Sequence, residues 1–163
     1  MKKNILILII FLLWGTGGFF SQMPDISNVW LNHHKPYAGT IENKNDSEIL
    51  KINIDISEQN QKNDQEYFIS GTSEVQNTIS NFEGSIKITK YKNGKKQNSV
   101  FGEYEIAEEP KGMHSGMFTG KFVYTFTWNP KTEKIEKQSI EFIGTWKNYE
   151  GNLVYKTNWK NGE

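Results

Sequence analysis

Apolar and polar residues alternate along most of the chain with a period of two. From Leu50 to Ile56 every second residue is leucine or isoleucine, and the residues between them are polar. The longest alternating stretch is Met117–Trp128, whose apolar face consists of Phe118, Gly120, Phe122, Tyr124, Phe126 and Trp128. Because successive side chains of a β-strand point to opposite faces, this pattern predicts strands with one buried face and one solvated face.

The same pattern predicts about eight strands joined by short polar connections. The remaining six are expected at Tyr37–Glu42, Glu66–Val75, 82–89, Ser99–Ala107, Gln138–Lys147 and Asn152–Trp159, and Asn93-Gly94 is a strong hairpin signal between two of them. No helical crossover separates the strands, so neighbours should be antiparallel. We predict an all-β fold, an antiparallel up-and-down meander closed or nearly closed into a barrel, because closure removes exposed edges. Alternation alone also allows a two-sheet sandwich.

The N-terminal residues 1–21 have the layout of a secretory signal peptide. Two lysines precede the apolar run Ile5–Trp14, and small residues follow it. The run is short for a membrane span, so we expect cleavage, export to the periplasm or the medium, and no stable membrane anchor afterwards. Residues 22–36 then form an entry segment with one helical turn near Trp30, and residues 37–163 form a single β-barrel-like domain.

Composition limits the classes of function. The chain has no cysteine, which excludes disulfides and a thiol nucleophile. Without the two lysines of the signal peptide, the 19 basic residues fall to 17 against 19 acidic residues, a net charge of −2. That balance does not suit nucleic-acid binding, which calls for a clustered basic surface. No motif for a cofactor, a phosphate or a catalytic nucleophile is present, so we expect a non-catalytic protein without a cofactor.

The histidines and most glutamates fit solvated positions better than a site. His33 and His34 are adjacent, and His114 lies eighty residues downstream of them, a spacing that does not suit a zinc site. Glu103 and Glu105 alternate with Tyr104, and Glu141 alternates with Phe142, so the three carboxylates should lie on the outer faces of their strands. These residues therefore predict neither a metal site nor an acid–base pair.

The aromatic residues of the last three strands are the best candidates for a ligand site. They share inward-compatible positions in the alternation: Tyr124, Trp128, Phe142, Trp146, Tyr155 and Trp159. Aromatic concave surfaces bind apolar and amphipathic ligands. The same rings could instead fill an eight-stranded barrel, and the sequence leaves both readings open.

Three classes of function follow from these features. The first is a carrier that holds a small apolar or amphipathic ligand inside the barrel. Room for the ligand could come from glycines on apolar positions, which are Gly84, Gly102, Gly120 and Gly144. The second is a protein-binding module or an inhibitor that acts through long polar loops at Glu58–Gln65 and Glu108–Gly116. The third is an enzyme with polar groups converging inside the barrel.

The segment Phe142-Ile143-Gly144-Thr145-Trp146 resembles the Gly-x-Trp strand of the calycin barrels, which include lipocalins and avidin-like proteins. In those families the tryptophan closes one end of an up-and-down barrel whose interior holds a small ligand. The resemblance implies that Trp146 closes one end of the barrel here, and that the interior holds a ligand.

Overall fold

The computed structural model describes residues 23–32, 35–94 and 97–161. A short helix, α1 (Ser27–Trp30), precedes the strands β1 (Tyr37–Glu42), β2 (Ser47–Asn60), β3 (Asn63–Val75), β4 (Thr78–Lys92), β5 (Asn98–Glu108), β6 (Gly116–Asn129), β7 (Lys134–Asn148) and β8 (Val154–Lys160). The predicted signal peptide, 1–21, and the pair His33-His34 lie outside the described residues.

The eight strands form one closed barrel in sequence order. Every neighbouring pair is antiparallel, and β1 closes the sheet on β8, with Gly39 opposite Trp159. Strand accounts for 70% and helix for 3% of the structure. The predicted all-β, up-and-down barrel is therefore confirmed, and the sandwich is excluded because a single sheet closes on itself.

The strands of the first half of the barrel are longer than their alternation indicates. Strand β2 continues to Asn60 and β3 begins at Asn63, so a tight hairpin joins them. The prediction of a long loop at Glu58–Gln65 is wrong. Most of these polar residues lie on the ends of β2 and β3, where the strands extend past the packed interior. The connection at Glu108–Gly116 is a loop, as expected.

The entry segment covers one end of the barrel. Trp30, the last residue of α1, is fully buried, and its indole makes edge-on contacts with Tyr67, Phe122 and Tyr124. The hydroxyl of Tyr37 donates a hydrogen bond to the carbonyl of Trp30 at 2.9 Å. Trp30, which precedes the first strand, thus belongs to the packed core. We call the end of the barrel that α1 covers the lower end.

Aromatic rings fill the interior above Trp30. Phe142 and Trp159 face each other on β7 and β8 and stack with ring centroids 3.6 Å apart. Tyr37 and Tyr104 pack edge-on against both of them. Edge-on and stacked contacts of this kind each stabilise the fold by about 0.5–1.5 kcal/mol beyond burial.

The glycines on apolar positions do not leave space, contrary to one of the expectations from the sequence. Gly144 lies opposite Gly120, and a Cβ atom added to Gly144 would lie 2.1 Å from the Thr119 carbonyl oxygen and 2.8 Å from the Tyr104 hydroxyl. A Cβ atom at Gly102 would meet the Phe122 ring at 2.4 Å. These glycines allow neighbouring backbone and rings to approach closely, so the room for a ligand has to lie elsewhere.

Buried tyrosines make the stability of the fold sensitive to alkaline pH. Burial raises the pKa of Tyr124 to about 12 and also raises the pKa values of Tyr37 and Tyr104. The folded state favours the neutral phenols, so their contribution is complete below the unfolded pKa of about 10 and is lost as pH rises toward the folded values. We expect the free energy of unfolding to fall above about pH 10, by about 1.4 kcal/mol per pH unit for each such tyrosine.

Urea unfolding over a pH series, with tyrosinate absorbance recorded on the same samples, checks this expectation. The variant Tyr124→Phe should show a shallower alkaline fall than the unmodified protein, because one of the titrating phenols is gone. Native protein whose tyrosines all ionise near pH 10, as free phenols do, without loss of stability would contradict it.

Candidate ligand-binding site

A cavity lies at the upper end of the barrel, opposite α1. Its volume is about 490 Å³. Its mouth is surrounded by three connections, β1–β2, β3–β4 and β5–β6. Inward side chains of the strands form its walls. The lining residues from the walls include Ile41, Ser73, Val75, Ser80, Glu108, Phe118, Trp146 and Tyr155, and those from the mouth include Asn43, Asp46, Glu48, Gln76, Thr78 and His114.

Three aromatic rings come together in the wall because the register of the sheet aligns them. Phe118 on β6 lies opposite Trp146 on β7, and Trp146 lies opposite Tyr155 on β8. Phe118 and Trp146 are buried, whereas Tyr155 is partly exposed. The ring centroids of Trp146 and Tyr155 are 5.6 Å apart. The wall therefore offers a continuous aromatic surface with polar atoms at its edges.

Glu108 ends β5 with its side chain inside the barrel, only 6% exposed. Its Oε2 accepts hydrogen bonds from the Gly116 main-chain N–H at 3.0 Å and from the Trp146 indole N–H at 2.9 Å. Its Oε1 accepts a hydrogen bond from the Ser73 hydroxyl. Because these donors belong to β3, β6 and β7, one carboxylate in the cavity wall fixes the relative positions of four strands.

Hydrogen bonds from Asn148 and Tyr149, at the end of β7, hold the loop between β5 and β6 in place at the cavity mouth. The Tyr149 hydroxyl donates to the Glu108 carbonyl, and the Tyr149 N–H donates to the Ser115 carbonyl at 3.2 Å. The side-chain amide of Asn148 donates to the Met113 carbonyl at 3.3 Å. These bonds place the exposed His114 at the mouth, where its imidazole can contact an entering molecule.

The structure separates the six aromatic residues that the sequence predicts to bind a ligand. Only Trp146 and Tyr155 line the cavity. The other three inward rings, Tyr124, Phe142 and Trp159, are buried in the filled lower part of the barrel, and their role is packing. The interior is consequently filled at one end and hollow at the other.

The inward position predicted for Trp128 is wrong, because the side chain is 47% exposed. Trp128 lies near the end of β6, opposite Ile135, where the register between β6 and β7 shifts. The strand extends there beyond the packed interior, so an aromatic residue at an inward-compatible position has no core to enter. Alternation gives the face of a residue but not the level at which the barrel ends.

Sequence reasoning missed the polar residues of the cavity. Glu108 falls in an acidic run with Glu109, which is typical of a solvated surface. However, Tyr104, Ile106 and Glu108 continue one alternation on β5, and this phase alone could have placed the carboxylate inside. The outer position expected for Glu103, Glu105 and Glu141 is confirmed, since all three are exposed.

A second depression lies on the outer face of β2–β5, with a volume of about 580 Å³. Exposed Ile56 and Phe68 lie in it beside four glutamates, Glu58, Glu66, Glu83 and Glu105. This groove is larger than the cavity but is open along the surface. The cavity is the better candidate site, because a ligand inside the barrel is removed from water on most sides.

Within the described ranges, no group of three or more histidine, aspartate or glutamate side chains is arranged to hold a metal ion. The helical part of the described chain includes no segment that is both long and apolar enough to cross a membrane.

Comparison of the chain with protein-family models, with characterised proteins and with solved structures gives no match.

Proposed function

We propose that this protein is an exported, non-catalytic binding protein that holds a small amphipathic molecule in the cavity at the upper end of the barrel. The observation that carries the proposal is a cavity of about 490 Å³ lined by an aromatic wall and a buried carboxylate. Binding sites for small molecules have volumes of about 300–1,000 Å³ and combine apolar walls with a few polar groups. The resemblance of the Gly144–Trp146 segment to the calycin Gly-x-Trp strand supports the same reading.

The arrangement of the barrel favours this function over the protein-binding alternative. One of the two loops on which that alternative rests is a tight hairpin, and the other contributes His114 to the cavity mouth. The filled lower half gives the cavity a rigid floor, so little conformational entropy is lost when a ligand binds. A rigid site that is already hollow suits a small ligand.

Titration with the neutral, environment-sensitive dye N-phenyl-1-naphthylamine tests the proposal. We expect the dye's fluorescence to rise and saturate at one dye per protein. The variant Val75→Trp, which places a large ring in the cavity, should weaken binding at least about tenfold, equivalent to about 1.4 kcal/mol.

The matched control is Ile79→Trp, because Ile79 is exposed on the next strand and does not line the cavity. This variant should bind the dye as the unmodified protein does. Equal loss of binding in both variants, or no saturable binding to the unmodified protein, would show that the cavity is not the site. Thermal unfolding of both variants shows whether the barrel is intact.

Export is part of the proposal and has its own test. Because two lysines precede a short apolar run, expression of the full-length chain in a bacterial host should give a product cleaved within residues 18–23. Mass spectrometry of the protein recovered from the periplasm or the medium determines the mature N-terminus. Recovery of the uncleaved chain in the membrane fraction would mean that the segment acts as an anchor.

A further inference from the structure

The cavity wall contains the buried carboxylate of Glu108, which forms no ion pair with any cation in the described part of the chain. All three hydrogen bonds to the Glu108 carboxylate come from uncharged donors. The ion pairs among the residues that the structure describes are Lys51–Glu74 and Lys111–Glu109, and neither includes Glu108. Buried charges in proteins are ordinarily paired, because removal of an ion from water is costly. A cationic ligand could therefore supply the positive charge that Glu108 lacks among the described residues.

The acidic side chains at the cavity mouth carry the same sign as Glu108, and the imidazole of His114 lies at the mouth with them. Asp46 and Glu48 lie at the mouth, and no lysine is among the lining residues. Glu48 accepts a hydrogen bond from the Gln76 side-chain amide at 2.5 Å, which also leaves its charge unpaired. A recess lined by charges of one sign concentrates the field and attracts the opposite charge.

We propose that the cavity selects an organic cation, a small molecule with an ammonium group and an apolar body; this proposal rests on the function proposed above. A carboxylate has about four acceptor positions, and three at Glu108 are occupied, so one remains for an N–H of the ligand. The rings of Phe118, Trp146 and Tyr155 line the same cavity and can contact both the apolar body and the cation. An inorganic cation would leave this aromatic wall unused.

The test compares three probes that share a phenyl ring and differ in the charge of the polar group. These are 2-phenylethylammonium, 2-phenylethanol and phenylacetate, each measured by displacement of N-phenyl-1-naphthylamine and by calorimetry. We expect the ammonium compound to bind at least about tenfold more tightly than the alcohol, and phenylacetate to bind more weakly than the alcohol.

The variant Glu108→Gln removes the charge while keeping the hydrogen bonds. The glutamine carbonyl oxygen can accept from both Gly116 and Trp146, and the amide N–H can donate to the Ser73 hydroxyl. This variant should reduce the preference for ammonium over alcohol to within about twofold while the affinity for the alcohol is retained. Glu105→Gln, which removes an exposed charge on the outer face of the same strand, should leave the preference unchanged.

The outcomes separate this inference from the proposed function. Dye binding with no preference for the ammonium compound, or with preference for the alcohol or phenylacetate, overturns the inference and leaves the proposed function standing. A preference that survives in Glu108→Gln also overturns it. Absence of binding by the dye and by all three probes overturns both. The comparison on the unmodified protein is decisive even where Glu108→Gln fails to fold.

Discussion

Replacement of Trp30 by alanine should lower the free energy of unfolding by about 3–5 kcal/mol, the range for loss of a large buried aromatic side chain. The indole is fully buried and contacts Tyr67 on β3 and both Phe122 and Tyr124 on β6. Its removal opens the lower end of the barrel, where no other side chain of α1 is buried. Urea denaturation at neutral pH measures the effect.

Asn28→Ala is the matched control, since Asn28 lies in the same helical turn and is exposed. It should change stability by no more than about 0.5 kcal/mol. If Trp30→Ala also falls within that limit, the entry segment does not stabilise the barrel, and the domain can be taken to start at residue 37. A large loss shows instead that a folded domain needs the entry segment as well as the strands.

The strands of this protein could be predicted from the sequence because each follows a period of two, and their short connections leave little choice of topology. Closure of the sheet into a barrel could be predicted because an open sheet would leave two strand edges exposed. The packing of Trp30 inside the barrel could not be predicted, because a four-residue helix has no periodicity to show which surface it covers. The tight hairpin between Asn60 and Asn63 was missed for a similar reason, since polar residues at a strand end look like a loop.

The candidate site was less predictable than the fold. Alternation correctly placed Trp146 and Tyr155 inside, but it could not distinguish the level of these rings from that of Phe142 and Trp159, which lie in the filled half. That level depends on the stagger between strands, which the register of all eight pairs determines together. The buried position of Glu108 depends on donors from three other strands, and two of these donors, Ser73 and Trp146, are distant in the sequence.

The Trp146→Ala variant should also lose about 3–5 kcal/mol of stability. This variant tests the fold and the site together, because Trp146 is both a buried residue of the barrel and part of the cavity wall. Trp146 is 5% exposed and packs beside Tyr155, so its removal enlarges the cavity. Among the residues that the structure describes, it also removes the one side-chain donor to Glu108 Oε2, which leaves a buried carboxylate with two of these three hydrogen bonds. Loss of one such bond to a charged group costs about 1.5–3 kcal/mol.

Two further variants separate these contributions in the same urea titrations. Trp146→Phe keeps an aromatic ring in the wall but removes the indole N–H, so its loss should be smaller than that of Trp146→Ala and close to the cost of the hydrogen bond alone. Trp128→Ala removes a tryptophan of equal size that is about half exposed, and it should change stability by no more than about 0.5 kcal/mol. A Trp146→Ala variant as stable as Trp128→Ala would show that the indole does not lie inside the barrel. Because the aromatic wall and the Glu108 carboxylate meet at this one ring, such a result would also remove the basis for placing a ligand there.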